Sequence, residues 1–265
     1  MARQAALAPA RPRSVPALSG PWRRAALIGA CLVPLLGLLY LGARETPVFS
    51  LQTVEVEGAP AIVRQEILRS LEETRGTSLV SLDGEAVVRR LEALPSVESV
   101  TYDRAFPHAL RLVVVPEKPV AVVNQASNLW IVSPRGRVIG GTSAAEAPDL
   151  PRIRYVPAAP LVAGQFVADE GTKIVLAALS EAPKRMPLSI HSARLEDGEL
   201  TLVLAGEGET RPLLLLGEPV EVGTKLRVAA LVLRKLGDEE RAALTYLDVT
   251  LPDRPVASTN PLPSS

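Results

Sequence analysis

The chain has 265 residues, with 29 basic and 29 acidic side chains and one cysteine, Cys31. Residues 1–44 hold six of the arginines and no acid, which leaves 23 basic and 29 acidic residues, a net charge of about −6, in 45–265. That balance excludes a nucleic-acid footprint beyond residue 44, and the lone cysteine excludes an internal disulfide, so hydrophobic cores must stabilise the rest.

Residues 1–24, rich in Ala, Pro, Arg and Ser, have little large apolar content and read as a disordered basic tail. Residues 25–43, AALIGACLVPLLGLLYLGA, carry no charge over 19 positions. As a helix they span roughly 28 Å, close to the hydrocarbon thickness of a bilayer. The spacing predicts a single transmembrane helix. A cleaved signal peptide has a shorter apolar run and a small residue at −3, where Leu41 stands before a cut at Ala43. Arg3, Arg11, Arg13, Arg23 and Arg24 keep the amino terminus cytoplasmic, so the chain beyond the helix is extracytoplasmic.

The first folded region is expected over 48–116. Val48–Val56 reads as a strand that Gly58 ends. Pro60 opens a helix, where its missing N–H costs nothing, and Val63, Ile67 and Leu71 make one buried stripe. Asp83 caps a second helix that runs to Leu94, with Val87, Leu91 and Leu94 on the core face. Strands follow at Val97–Phe106 and His108–Val115; in the latter Leu110, Leu112 and Val114 share a face. The order is β-α-α-β-β, with both helices on one face of the sheet.

The second region, 117–255, reads as mixed and mainly β. Short strands are expected at Val120–Val123, Leu129–Val132 and Arg137–Ile139, the last after a Ser133–Gly136 turn. A helix spans Gly171–Ala182, with Val175 and Leu179 four apart. Leu200, Leu202 and Leu204 alternate along a strand, and a Gly206–Glu209 hairpin leads into Pro212–Leu216. A longer helix covers Gly223–Leu236, with Leu226, Ala230, Leu233 and Leu236 on one face. Gly237–Glu240 separates it from a last strand, Thr245–Leu251, expected at the sheet edge with Leu247, Val249 and Leu251 inward. The tail 256–265 reads as disordered. The fold class is therefore α+β: one membrane span and two folded regions.

Nothing in the pattern carries chemistry. Beyond the span there are two histidines, His108 and His191, and no G-x-S-x-G elbow. Two distant histidines without thiols make no metal site. Gly206-x-Gly208 lacks a third glycine and a following helix, so it is no phosphate loop. No catalytic, cofactor-binding or metal residues are assigned, and the expectation is a binding module rather than an enzyme.

The β-α-α-β-β region after a single anchor resembles a POTRA domain. The residues that carry the likeness are Val54-Glu55-Val56-Glu57-Gly58, Leu94-Pro95-Ser96-Val97, Tyr102-Asp103-Arg104-Ala105-Phe106-Pro107 and the exit Val113–Ala121. The second region is similar to the β-domain of the bacterial FtsQ/DivIB cell-division family, through Gly217–Leu236 and Tyr246–Pro255. The family order of basic tail, anchor, POTRA domain, β-domain and short tail covers the whole chain. This chain has Ser133-Pro134-Arg135-Gly136 where the family often has Asp-x-x-Gly, and Thr250 where it often has Arg.

The resemblance implies a single-pass inner-membrane protein at the division septum. Its role would be a non-catalytic scaffold of the divisome, holding FtsB and through it FtsL. The family captures FtsB with its C-terminal strand, which implies Tyr246, Asp248, Thr250, Pro252 and Arg254 as partner-binding residues. The alternative reading is an exported enzyme or an outer-membrane assembly factor that carries a POTRA-like module. An assembly factor needs a many-stranded membrane barrel, and the residues after 116, interrupted by helices, do not supply one.

Overall fold

A computed structural model describes residues 28–35, 37, 38, 42, 49–146, 149–155, 159–184, 186–206 and 210–261. The predicted basic tail, 1–24, lies outside the described residues, and so do residues 25–27, 36, 39–41 and 43 of the predicted span, 25–43. Residues 28–35 are helical, with Ile28, Leu32, Val33 and Leu35 exposed. Among the described residues no helix is long and apolar enough to cross a membrane.

The first sheet has three strands in the order β1-β3-β2: β1 is Thr53–Glu57, β2 Val97–Ala105 and β3 Ala109–Pro116. β1 runs parallel to β3, and β2 antiparallel to it. Two helices, α1 (Ala61–Ser70) and α2 (Gly84–Glu92), connect β1 to β2. Their stripes meet the sheet as the period of 3.6 requires. Ile67, Leu71, Val87 and Leu91 share one core with Leu110, Leu112 and Val114. Asp83 caps α2, its carboxylate accepting from the Ala86 N–H at 3.1 Å. Leu94 and Val63 pack only partly buried against this core. α1 closes at Ser70, and a short 3-10 turn, Glu72–Thr74, follows.

The second sheet has nine strands in the order β12-β11-β10-β9-β8-β7-β4-β5-β6. β4 (Ala121–Gln125), β5 (Asn128–Val132) and β6 (Val138–Thr142) form an antiparallel meander. β7 (Arg152–Arg154) joins β4 in parallel, and β8 (Ile190–Glu196) joins β7 in parallel. Helix α3 (Glu170–Ser180) makes the crossover that parallel pairing requires. β9 (Glu199–Leu204) and β10 (Leu213–Gly217) add antiparallel strands. The chain then crosses over through α4 (Val222–Lys235) and α5 (Asp238–Ala242), and β11 (Tyr246–Asp248) lies parallel to β10. β12 (Val256–Ser258) returns antiparallel to β11.

One face of this sheet holds the core. Leu200, Leu202, Leu204, Leu214 and Leu247 pack with Val175, Leu176 and Leu179 of α3 and Leu226, Ala229 and Leu233 of α4. Each fully buried leucine removes apolar area worth about 2 kcal/mol from water. Lys225 lies on the same helix yet is 6% exposed. Its ammonium donates to Leu216 O at 2.7 Å and Glu218 O at 2.8 Å, which ties α4 to the end of β10.

Three sequence expectations need correction. The Gly237–Glu240 connection holds the short helix α5. The last predicted strand, Thr245–Leu251, is a strand only over Tyr246–Asp248. There the Asp248 carboxylate accepts from the Thr250 N–H at 2.9 Å, a local turn bond that draws the chain out of the ladder. The tail read as disordered contains β12, which is stabilised by a partner strand rather than by any apolar alternation of its own.

Candidate interaction site at the sheet edge

β12 ends the nine-stranded sheet on one side, and β6 ends it on the other. Its register on β11 pairs Tyr246 with Ser258, Leu247 with Ala257 and Asp248 with Val256. The Thr245 N–H donates to Ser258 O at 2.9 Å, and the Thr245 hydroxyl to Thr259 O at 2.9 Å. These bonds anchor β12 from the inside. Among the described residues no strand pairs with its outer side. A terminal strand of this kind is a template for one more strand.

Apolar side chains surround that edge. Leu251 is 66% exposed, Val256 52% and Val220 60%. They lie at one end of the sheet because β10 and β11 run parallel, so the chain after each leaves at the same end, where β12 begins. On the helix side, Leu236, Glu240, Leu244, Ala257, Ser258, Thr259 and Asn260 line a groove of ≈ 290 Å³. An added strand would lay its backbone on β12, with side chains toward the exposed apolar residues on one side and the mixed polar and apolar groove on the other.

The five residues singled out from the sequence are dispersed around this edge. Tyr246 and Asp248 lie on β11, one strand in, and are half-buried on the face turned away from the helices. Thr250 is exposed and sits over Gly217, where a Cβ would lie 2.7 Å from the threonine Cγ2. Pro252 is half-buried, and Arg254 exposed, in the turn where the Arg254 N–H donates to Leu251 O at 3.0 Å. Leu247 and Val249 are fully buried, as period two predicts. Leu251, expected inward, is exposed because the strand has ended before it. β11 is interior, so the expected edge passes to β12. The sequence reading missed Val256, Ala257 and Val220; the signal that could have found them is the pair of prolines, Pro252 and Pro255, which end one strand and permit a reversal.

The two histidines stand on different sheets. His108 lies in the β2–β3 turn, its Nδ1 buried without a partner, and His191 is exposed on β8. Among the described residues no group of three or more His, Cys, Asp and Glu side chains could hold a metal ion.

A family model described as "POTRA domain, FtsQ-type" matches residues 49–115. The chain is 30% identical over 207 residues to "Cell division protein FtsQ" of Myxococcus fulvus, covering 77% of this chain and 71% of that one. It is 27% identical over 235 residues to the protein of the same name from a Geobacter species, covering 85% and 83%. A "Cell division protein FtsQ" of Streptomyces coelicolor is 31% identical over 110 residues, 41% of each chain.

Proposed function

The chain belongs to the FtsQ/DivIB family of cell-division proteins, and from that premise we propose that it is a non-catalytic scaffold of the divisome that captures FtsB along the free edge of β12. In this reading residues 25–43 anchor the protein in the inner membrane with the amino terminus cytoplasmic. A POTRA domain over 48–116 and a β-domain from 117 through β12 stand outside, at the septum. FtsL is held through FtsB.

The observation that carries this proposal is the terminal position of β12 beside exposed Leu251, Val256 and Val220. Strand addition needs a free ladder for affinity and adjoining pockets for selectivity. Both are present at this edge. Tyr246, Asp248, Thr250, Pro252 and Arg254 then form the surface behind and beneath the added strand. Tyr246 and Asp248 reach it across the β11–β12 register, and Arg254 from the turn.

The test is titration of the Glu45–Ser265 fragment with an FtsB segment. Leu251→Ser, at a site already exposed, is expected to weaken binding at least about tenfold while the thermal melt stays put. Truncation after Pro255 removes β12 and is expected to abolish binding. Unchanged affinity in both variants would place the partner surface elsewhere.

A further inference from the structure

The connection between β5 and β6 carries two arginines, Arg135 and Arg137. Arg137, expected at the start of a strand, is 8% exposed. Its guanidinium reaches out of the nine-stranded sheet into the first unit. Nη1 donates to Val97 O at 3.1 Å, and Nη2 donates to Glu92 O at 2.7 Å and Leu94 O at 3.0 Å. Glu92 is the last residue of α2, and Val97 the first of β2. The final carbonyls of a helix have no intrahelical donor and carry the negative end of its dipole. A planar cation with donors on two nitrogens fits that position.

Neighbouring contacts hold the pin in place. Phe166 lies with its ring centroid 5.9 Å from the Arg137 Cζ. The Val138 N–H donates to Gln165 O at 2.9 Å, and the Val167 N–H to Gly136 O at 2.8 Å, so residues 165–167 clip the turn. Gly164, at φ +86°, brings its backbone against the first unit: a Cβ there would be 3.5 Å from Pro95 Cγ. Arg135 pairs with Glu117, whose side chain is almost fully buried, and approaches Glu98 at 3.8 Å. A charge taken out of water is tolerated where hydrogen bonds engage it. The side-chain hydrogen bonds of Arg137 all go to carbonyls of the other unit, through Nη1 and Nη2, while its Nε is buried without a partner.

We infer that Arg137 pins the POTRA domain and the nine-stranded sheet at one fixed angle, so that the two domains move as a single rigid arm. Without it, the junction through Glu117–Val120 is a short tether and the domains reorient about it. Arg137 acts as a positioning residue: it touches no partner but sets where the β12 edge stands relative to α1. The inference does not depend on what binds that edge.

The test uses the full chain in detergent micelles with Cys31→Ser and spin labels at Ile62→Cys on α1 and Lys235→Cys on α4. The parent is expected to give one narrow distance distribution. Arg137→Met is expected to widen it at least twofold while far-ultraviolet circular dichroism is unchanged. Arg137→Lys keeps the charge but cannot serve three carbonyls spread over two nitrogens, so it should also widen the distribution. It is the variant to read if Arg137→Met does not fold. A broad distribution in the parent, or a width unchanged in the folded variants, overturns the inference.

Discussion

Substituting Gly217 tests the geometry behind the β12 edge, because two separate costs meet at that residue. Gly217 ends β10 at φ +63°, and a Cβ placed on it would lie 2.7 Å from Thr250 Cγ2, 3.3 Å from its Oγ1 and 3.4 Å from its Cβ. The left-handed backbone costs an alanine about 1 kcal/mol. Overpacking adds about 1–3 kcal/mol. Thr250 has little room to swing aside, because one alternative χ1 well brings its hydroxyl to the same place and its Cβ itself stands 3.4 Å from the new atom. Gly217→Ala should therefore destabilise the protein by about 2–4 kcal/mol. Thr250→Ala, at an exposed position, should cost no more than about 0.5 kcal/mol. The double variant should lose only the backbone share, about 1 kcal/mol, because the atoms nearest the new Cβ are gone. The coupling energy is then roughly 1–3 kcal/mol, well above the 0.3–0.5 kcal/mol scatter of independent sites. Urea unfolding of the Glu45–Ser265 fragment, followed by circular dichroism, measures all four corners of the cycle. Additive costs would refute the contact between Thr250 and the end of β10.

Two further substitutions address the cores. Leu91 is fully buried on α2, so Leu91→Asp places an unpaired carboxylate in the first core; it should cost more than about 3 kcal/mol and unfold the POTRA domain, read as loss of its transition in a thermal melt. Lys225→Met keeps the apolar stem but takes the ammonium from Leu216 O and Glu218 O, leaving Glu218 O the Val220 N–H alone, and should lower stability by about 1–2 kcal/mol in a denaturant titration; an unchanged midpoint would mean that water replaces the ammonium.

What was legible in the sequence follows from the range of the forces involved. The stripes Ile67/Leu71, Val87/Leu91, Val175/Leu179 and Leu226/Leu233 are local, set by helical period, and each reaches a core in the structure. The same holds for Leu110/Leu112/Val114 and Leu200/Leu202/Leu204 at period two. The family was legible from motifs spread along the chain. β12 was not, because Val256–Ser258 is short, two of its residues are exposed, and its order comes from pairing with β11 across a proline-bounded turn. β7 is equally short and is defined by its parallel neighbours. Arg137 was illegible for a different reason. Its environment is made by carbonyls about 40 residues earlier, and a charged residue after a Pro-Arg-Gly turn reads as solvated until those carbonyls are in place. Leu251 failed at the strand terminus, where one Asp248–Thr250 hydrogen bond turns the chain out of the ladder and the period-two alternation stops.

Order of synthesis separates the two features that matter most. The residues that lock Arg137 all precede residue 168, so the joint is complete while the later part of the chain is still being made. β12 is the reverse. It pairs only with β11, and β11 needs β10 and the whole α4–α5 excursion before it has a place in the sheet. A nonsense or frameshift product that stops between residue 168 and Val256 therefore keeps every residue of the Arg137 joint but never displays the edge. Such a product cannot compete with the intact protein for a partner that binds there, and truncated alleles should behave as recessive.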